Sequence, residues 1–405
     1  MKAMFVMGSL VRSGARLGVR SGARLGALLG ALALTGCSMF SGGSDRYDPA
    51  PLTALDAGGR APATARVIWR ASPGSGAGVG FAPVVVGSAV YAAAANGGVG
   101  KYLMATGQPV WQARVNARLS AGVGSDGSVT AVVTGNGEVI AFNDEGRELW
   151  RSRATSEVLL PPVVGEGVVV VRSGDYRIQA FDAQTGERIW TVQRPGPVLA
   201  LRAPAGMVMT QGVVLTGLPG GRLLMIHAAT GAVQWEGIVA SPKGASDLER
   251  VTDVVGTPQI ADALLCAVAY QGRIACFDMS QGGQLAWAKD FSSDAGLTVA
   301  GRFAFASDTH GRVTGFSLED GSTLWQQAAL ANRRLSAPAV VNGTIAVGDL
   351  DGYVHFLSPQ DGRLLARINV GRGPITVPLL ATPDGVLAQD GNGALTLAQV
   401  FVIAD

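Results

Sequence analysis

One phrase recurs along this chain and always closes the same way, with a strand-like run, a tight turn and a tryptophan. It reads GEVIAFNDEGRELW at residues 137–150, YRIQAFDAQTGERIW at 176–190, GRIACFDMSQGGQLAW at 272–287 and GRVTGFSLEDGSTLW at 311–325. All seven tryptophans, Trp69, Trp111, Trp150, Trp190, Trp235, Trp287 and Trp325, end copies of it, at successive intervals of 42, 39, 40, 45, 52 and 38 residues. A further copy, GYVHFLSPQDGRLLA, puts Ala366 where the tryptophan would stand, 41 residues on. One such unit cannot bury its apolar face alone, so its copies must stack, and a period of about 40 residues is that of a four-stranded propeller blade.

Within a period the strands read directly. LLPPVV at 159–164 is an apolar run opening with proline, suited to a first strand beside a central channel, and GVVVVRSG follows after a glycine turn. YRIQAFDA alternates, and RIWTV forms the outermost strand. Pairs such as Asp126-Gly127, Asn136-Gly137, Thr185-Gly186, Asp320-Gly321 and Asp361-Gly362 supply turns that need positive φ. The last period holds only three strands, while ARVIWRAS at residues 65–72 is an outer strand without a blade. Pairing the two segments closes the ring and covers its edges. The expectation is an all-β, eight-bladed β-propeller whose N- and C-terminal strands share the last blade, with seven blades the rival count.

The tryptophan is then a structural residue: a large flat ring on the outer strand lies against the next blade, its N–H reaching a polar partner. His227, His310 and His355 fall in separate repeats, and no two share a metal-ligand interval, so no metal site is expected. Cys266 and Cys276 flank the turn at Gln271-Gly272. They are either a bridge across a hairpin or two small buried thiols, since Cys276 fills a slot held elsewhere by Ala141, Ala180 or Gly315. With 48% hydrophobic residues and a net charge of +2, the chain has material for a large core and no basic surface for nucleic acid.

The N-terminus reads separately. Arg12, Arg16, Arg20 and Arg24 precede the short apolar run LGALLGALALTG, which is too short for a membrane span and right for a signal peptide. It ends in LTGC at residues 34–37, which resembles a bacterial lipobox. The resemblance implies cleavage after Gly36 and lipidation of Cys37; the alternative is an ordinary signal peptide with a chance cysteine. Three acyl chains, at ~0.8 kcal/mol per buried CH₂, make a permanent anchor. Ser38 next to Cys37 goes, in such lipoproteins, with transport to the outer membrane. The following segment, rich in Gly, Pro, Ala and Ser, reads as a flexible tether. The expected organisation is a signal peptide over 1–36, a tether over 37–63 and the propeller over 64–405.

AFDAQTGERIW, residues 180–190, fits the Ala-x-Asp-x-x-Thr-Gly-x-x-x-Trp pattern of the quinoprotein propeller repeat, which names a fold and not a chemistry. Quinoprotein dehydrogenases resemble the chain blade for blade. They need a quinone over the channel, a Ca²⁺ held by oxygen ligands and a base, and many carry adjacent cysteines. This chain has no Cys-Cys pair, no dense Asp/Glu/Asn cluster in its first strands and no tryptophan left over from blade packing.

The chain more closely resembles the BamB family of lipoproteins in the outer-membrane β-barrel assembly (BAM) machinery, over essentially all the mature sequence. VLALRAPAG places Leu199, Leu201 and Arg202 on that family's Leu-x-Leu-Arg segment. SPKGASDLERVTDVVGTPQI places Arg250 and Asp253 on its Arg-x-x-Asp stretch, whereas Val255 replaces a second acidic residue. The two widest tryptophan intervals, 45 and 52 residues, are consecutive and follow outer strands, so both long loops emerge on one rim, side by side. Leu199 and Leu201 are the expected apolar centre of a partner-binding patch, with Arg202, Arg250 and Asp253 as its polar rim. Alternatively the leucines merely begin the next blade.

The resemblance implies a non-enzymatic scaffold without cofactor, lipid-anchored on the periplasmic face of the outer membrane. It would dock a periplasmic POTRA domain of the barrel-inserting subunit BamA beside other BAM subunits and support insertion of β-barrel proteins. Contact with unfolded outer-membrane clients is a further expectation, set against the few free edges of a closed ring. A quinone-dependent dehydrogenase and a generic periplasmic interaction propeller are the alternatives. Cofactor reconstitution tests the first, and a pull-down for BamA tests the second.

Overall fold

The strand Val168–Arg172 explains why the repeat makes blades. Alternate side chains of a strand point to opposite faces, and here both faces are apolar. Val169 and Val171 pack with Ala121 and Trp150 of the blade before, while Val168 and Val170 pack with Val214 and Leu224 of the blade after. An unbroken valine run is what a sheet covered on both sides requires, and each fully buried valine contributes about 1.5–3 kcal/mol.

The computed structural model describes residues 48–55, 63–201 and 203–402. Among them are 32 strands in eight four-stranded antiparallel sheets, and one 3-10 turn, Met279–Gln281. In blade 3 the sheet runs Val163–Gly165, Val168–Arg172, Arg177–Asp182, Arg188–Gln193, in sequence order from the axis outward. Blades 1 to 7 span residues 84–114, 119–153, 163–193, 207–238, 254–290, 296–327 and 339–369. Blade 8 combines Leu380–Thr382, Gly385–Gln389 and Leu395–Val402 with Ala63–Ala71 as its outermost strand, running from Ala63 opposite Val402 to Ala71 opposite Leu395. The count is therefore eight, and the ring closes by joining the two ends of the chain, as the orphan strands predict. Its outer strand runs Ala63–Ala71, starting two residues ahead of the ARVIWRAS segment at 65–72 read from the sequence.

Each tryptophan follows a β-bulge that skips one residue. Ala180 faces Trp190 but Phe181 faces Arg188, and the same slip precedes Trp69, Trp111, Trp150, Trp235, Trp287 and Trp325. Many of the skipped residues, among them Ile68, Val110, Leu149, Ile189 and Leu324, are left exposed, and the bulge re-aims the ring toward the next blade. There it lies on the turn between that blade's third and outer strands. Trp150 donates Nε1–H to the Ala183 carbonyl at 2.9 Å and Trp190 to Ala228 at 2.7 Å. Beneath each ring sits a glycine: Gly107, Gly146, Gly186, Gly231, Gly283, Gly321 and Gly362, all with positive φ, and a Cβ on any of them would come within 3 Å of the tryptophan. The Thr-Gly turn of one blade and the Trp of the blade before it are thus two halves of one contact. Blade 8 has no such turn, because its third and outer strands come from opposite ends of the chain. Blade 7 accordingly carries Ala366 where the ring would have nothing to cover.

These turns line one edge of the ring, the tryptophan rim. Connections from an outer strand to the next inner strand emerge on the other edge, with the turns between second and third strands; this is the loop rim. Cys266 and Cys276 face each other directly across neighbouring strands of blade 5 and are joined as a disulfide. Of the open alternatives, the bridge is the one found. The signal peptide, Cys37 and the tether as far as residue 47 lie outside the described residues. Residues 48–55 of the expected tether do not hang free: Ala50, for one, donates its N–H to the Ala331 carbonyl at 2.9 Å.

Candidate functional site

The two long connections, residues 194–206 and 239–253, enter blades 4 and 5 and meet on the loop rim. Next to the axis the chain at Ala205 bridges Gly256 in parallel, with Gly206 N–H on the Gly256 carbonyl at 3.0 Å and Gly256 N–H on the Pro204 carbonyl at 2.8 Å. Further out, Asp253 ties three segments. Its carboxylate accepts from Leu201 N–H at 2.5 Å and from Gly220 N–H at 3.2 Å, and its carbonyl accepts from Tyr270 N–H at 2.8 Å. Gly220 and Tyr270 belong to the turns of blades 4 and 5, so one side chain fixes the long loop of residues 194–206 against both.

This differs from the expected role of Asp253 as polar rim, for it is only 3% exposed. Burial raises its carboxyl above the usual carboxylate range, and the two N–H donors and Arg172 oppose that rise. Arg172 is itself held by the Gly217 carbonyl, and burial lowers its guanidinium to about 10. Tyr176 completes the brace, donating its hydroxyl to the Pro197 carbonyl at 2.9 Å. Residue type alone did not point to Arg172 or Tyr176, because an Arg and a Tyr beside a turn read as solvent-facing.

Of the five residues assigned to the patch, the structure joins Leu201 and Asp253 directly. Leu201 is half-buried and packs against the core shared by blades 5 and 6, while Leu199 is 45% exposed. Arg250 is turned into its own loop, on Asp247 at 3.3 Å and on the carbonyls of Ala245 and Ser246. Arg202 lies outside the described residues. Val198, 92% exposed, and Leu248, 71% exposed, extend the apolar surface beyond the residues first singled out. Their signal was present: bulky apolar residues inside polar loops. Val255, the departure from the acidic pattern, is buried in the blade 5 core. Beside the loop lies a cavity of about 350 Å³, lined among others by Leu159, Leu160 and Leu201 with Arg172, Tyr176 and Asp253.

Nothing in this geometry serves the chemistry of a quinone with its Ca²⁺, which asks for converging oxygen ligands and a ring to stack on. The tryptophans sit on outer strands over turn glycines. Among the described residues no three His, Cys, Asp or Glu side chains converge as a cation site. The residues present do not fit that group.

Fold and site together define an eight-bladed propeller of quinoprotein-type repeats that carries one enlarged, partly apolar surface on its loop rim. A family profile described as outer membrane protein assembly factor BamB matches residues 95–327. The outer membrane protein assembly factor BamB of Bordetella pertussis is 59% identical over 368 residues, 91% of this chain and 94% of that protein. That of Burkholderia pseudomallei is 40% identical over 80% of this chain and 86% of its own. The crystal structure of BamB from Moraxella catarrhalis superposes with a TM-score of 0.76 at 28% identity, over 83% of this chain and 99% of that one. A europium-containing methanol dehydrogenase, at 15% identity and a TM-score of 0.64, shares the fold alone. The chain belongs to the BamB family of outer membrane protein assembly factors.

Proposed function

We propose that this chain is a non-enzymatic scaffold of the BAM complex, lipid-anchored through Cys37 to the periplasmic face of the outer membrane, where it supports insertion of β-barrel proteins. Its loop-rim patch at blades 4 and 5 docks a POTRA domain of BamA. Family membership supports the general role. The observation that carries the docking assignment is the Asp253 clamp: a buried carboxylate uses its acceptors to hold Leu201 in place, which leaves Val198 and Leu199 exposed on a loop braced beside them. Exposed apolar side chains on a braced loop are the usual centre of a protein interface. In this reading Asp253 positions the loop and does not itself touch the partner.

The mechanism is positional. Docking one domain of a flexible partner on a rigid ring lowers the entropy that the partner loses when it adopts a working arrangement. The experiment is co-purification of BamA from detergent-solubilised outer membranes with the Leu199→Asp and Val198→Asp variants, with and without Cys37. Loss of BamA with the ring still folded supports the patch; undiminished recovery with both variants removes it.

A further inference from the structure

We propose that residues 48–55 are a docked strap, which makes the tethered chain leave the ring on the loop rim of blade 7 and so turns that rim toward the lipid surface holding the anchor. The membrane half of this inference rests on the Cys37 reading above; the strap itself does not.

The local sequence DPAPLTAL promises no structure, yet its backbone is held at several points. Ala50 donates N–H to the Ala331 carbonyl at 2.9 Å and accepts from Arg333 Nη1 at 2.9 Å. The Asp48 carbonyl accepts from Asn332 Nδ2 at 3.1 Å, and the Thr53 carbonyl from Arg367 Nη1 at 3.4 Å. Leu52 and Leu55 are half-buried. Pro49 and Pro51 restrict the undocked chain and reduce the entropy lost on docking.

The receptor is built by the ring. Arg333 is 3% exposed, with Nε on the Asp349 carboxylate at 2.8 Å and Nη2 on Asp351 at 2.5 Å. Asp349, fully buried, is fixed in turn by His355 at 2.8 Å and Tyr353 N–H at 2.9 Å. Two edges of the guanidinium fork are thereby committed, and Nη1 is aimed at a main-chain carbonyl of the strap. The backbone beneath holds left-handed φ on both sides of Arg333, 59° at Asn332 and 50° at Arg334, and Leu350 N–H caps the Arg333 carbonyl at 3.0 Å. The braced Arg333 thus presents its Nη1 to the Ala50 carbonyl without further ordering of its own side chain.

The consequence is directional. Residues 331–333 lie between the outer strand Thr323–Gln327 of blade 6 and the inner strand Ala339–Val341 of blade 7, hence on the same rim as the patch of blades 4 and 5. Only ten residues, 38 to 47, then stand between the anchor residue and the first docked residue, a span of eleven Cα-to-Cα steps. Fully extended they reach about 40 Å, against about 90 Å if the chain were free as far as Ala63. A partner seated on the loop rim then lies on the side of the scaffold from which the anchored chain leaves.

The test uses the full chain purified from bacterial membranes. A photoreactive residue at Asp48 is expected to cross-link to residues 330–334, and Ala50→Pro, which deletes the N–H donated to Ala331 outside the ring, to lower that yield about tenfold. Cross-links scattered over the ring, or a yield untouched by Ala50→Pro, overturn the strap. In the second arm, in vesicles of phosphatidylethanolamine and phosphatidylglycerol, a fluorophore at His310 on the loop rim is expected to transfer energy to a lipid acceptor more strongly than one at Asp361 on the tryptophan rim. Ala50→Pro narrows that gap. Equal transfer, or stronger transfer from position 361, overturns the orientation. A chain that stays out of the vesicles overturns the anchor reading and the orientation with it, while the cross-link result still decides the strap.

Discussion

On the tryptophan rim, blade after blade makes one contact: a ring from the preceding outer strand over a glycine with positive φ, as Trp150 lies over Gly186. On the loop rim of blades 4 and 5 the spacing of the repeat is stretched, and two connections of unequal length meet there, held by Asp253, Arg172 and Tyr176. The first edge stores the fold in a local rule that any blade can obey. The second carries a departure from the rule, supported by buried polar groups instead of by repetition. In the proposed reading, stability and recognition fall on opposite edges of one ring, and substitutions should separate them.

The largest effect should come from the repeated contact. Gly186→Val forces a β-branched side chain into positive φ and into the Trp150 ring, and should cost about 3–5 kcal/mol in denaturant unfolding. A loss below about 1 kcal/mol would mean the contact is ornamental. Replacing Cys266 and Cys276 together by alanine removes the closed loop of sequence separation 10 and should cost about 2–3 kcal/mol. This loss should centre on blade 5, the blade that follows the longest connection, and hydrogen exchange would locate it.

Asp253→Ala strands two part-buried N–H groups and should cost about 1–2 kcal/mol, together with BamA recovery. Asp253→Asn keeps an acceptor and should behave better than alanine. The pH dependence follows from the raised carboxyl: the folded state takes up the proton first, so this residue's charge burdens the fold at neutral pH, and the burden lifts as pH falls through its folded value. The stability gap between Asp253→Asn and the parent should therefore favour asparagine most at pH 7 and shrink on acidification. A gap independent of pH would show that the carboxyl is not perturbed. The smallest effect on the fold belongs to Leu199→Asp, within about 0.5 kcal/mol, because the side chain is already 45% exposed. If it unfolds the ring, the two edges are not separable and the comparison fails.

The eight blades, the ring closure and the packing role of the tryptophans were legible because a period near 40 residues and a strand without a blade leave few alternatives. The meeting of the two long loops was legible from the intervals before Trp235 and Trp287 alone. Asp253 was found but misplaced: an acidic residue in a polar loop reads as solvated, and only three-dimensional proximity to the Leu201 and Gly220 N–H groups makes it a buried brace. The strap was missed for a similar reason. DPAPLTAL has no periodicity of its own, and its order is dictated by Arg333 and Asn332, nearly three hundred residues away. The cysteine bridge stayed open until register was known, since thiol and alanine fill the same slot equally well.

The closing strand has a consequence for how such a ring comes into being. Ala63–Ala71 meets its partner in Leu395–Val402, a strand synthesised long after it. The outer strand must wait for that partner, and seven blades can stack before the circle is sealed. During that interval both end blades expose unsatisfied backbone and bare apolar faces, so the nascent ring passes through a stage open to aggregation.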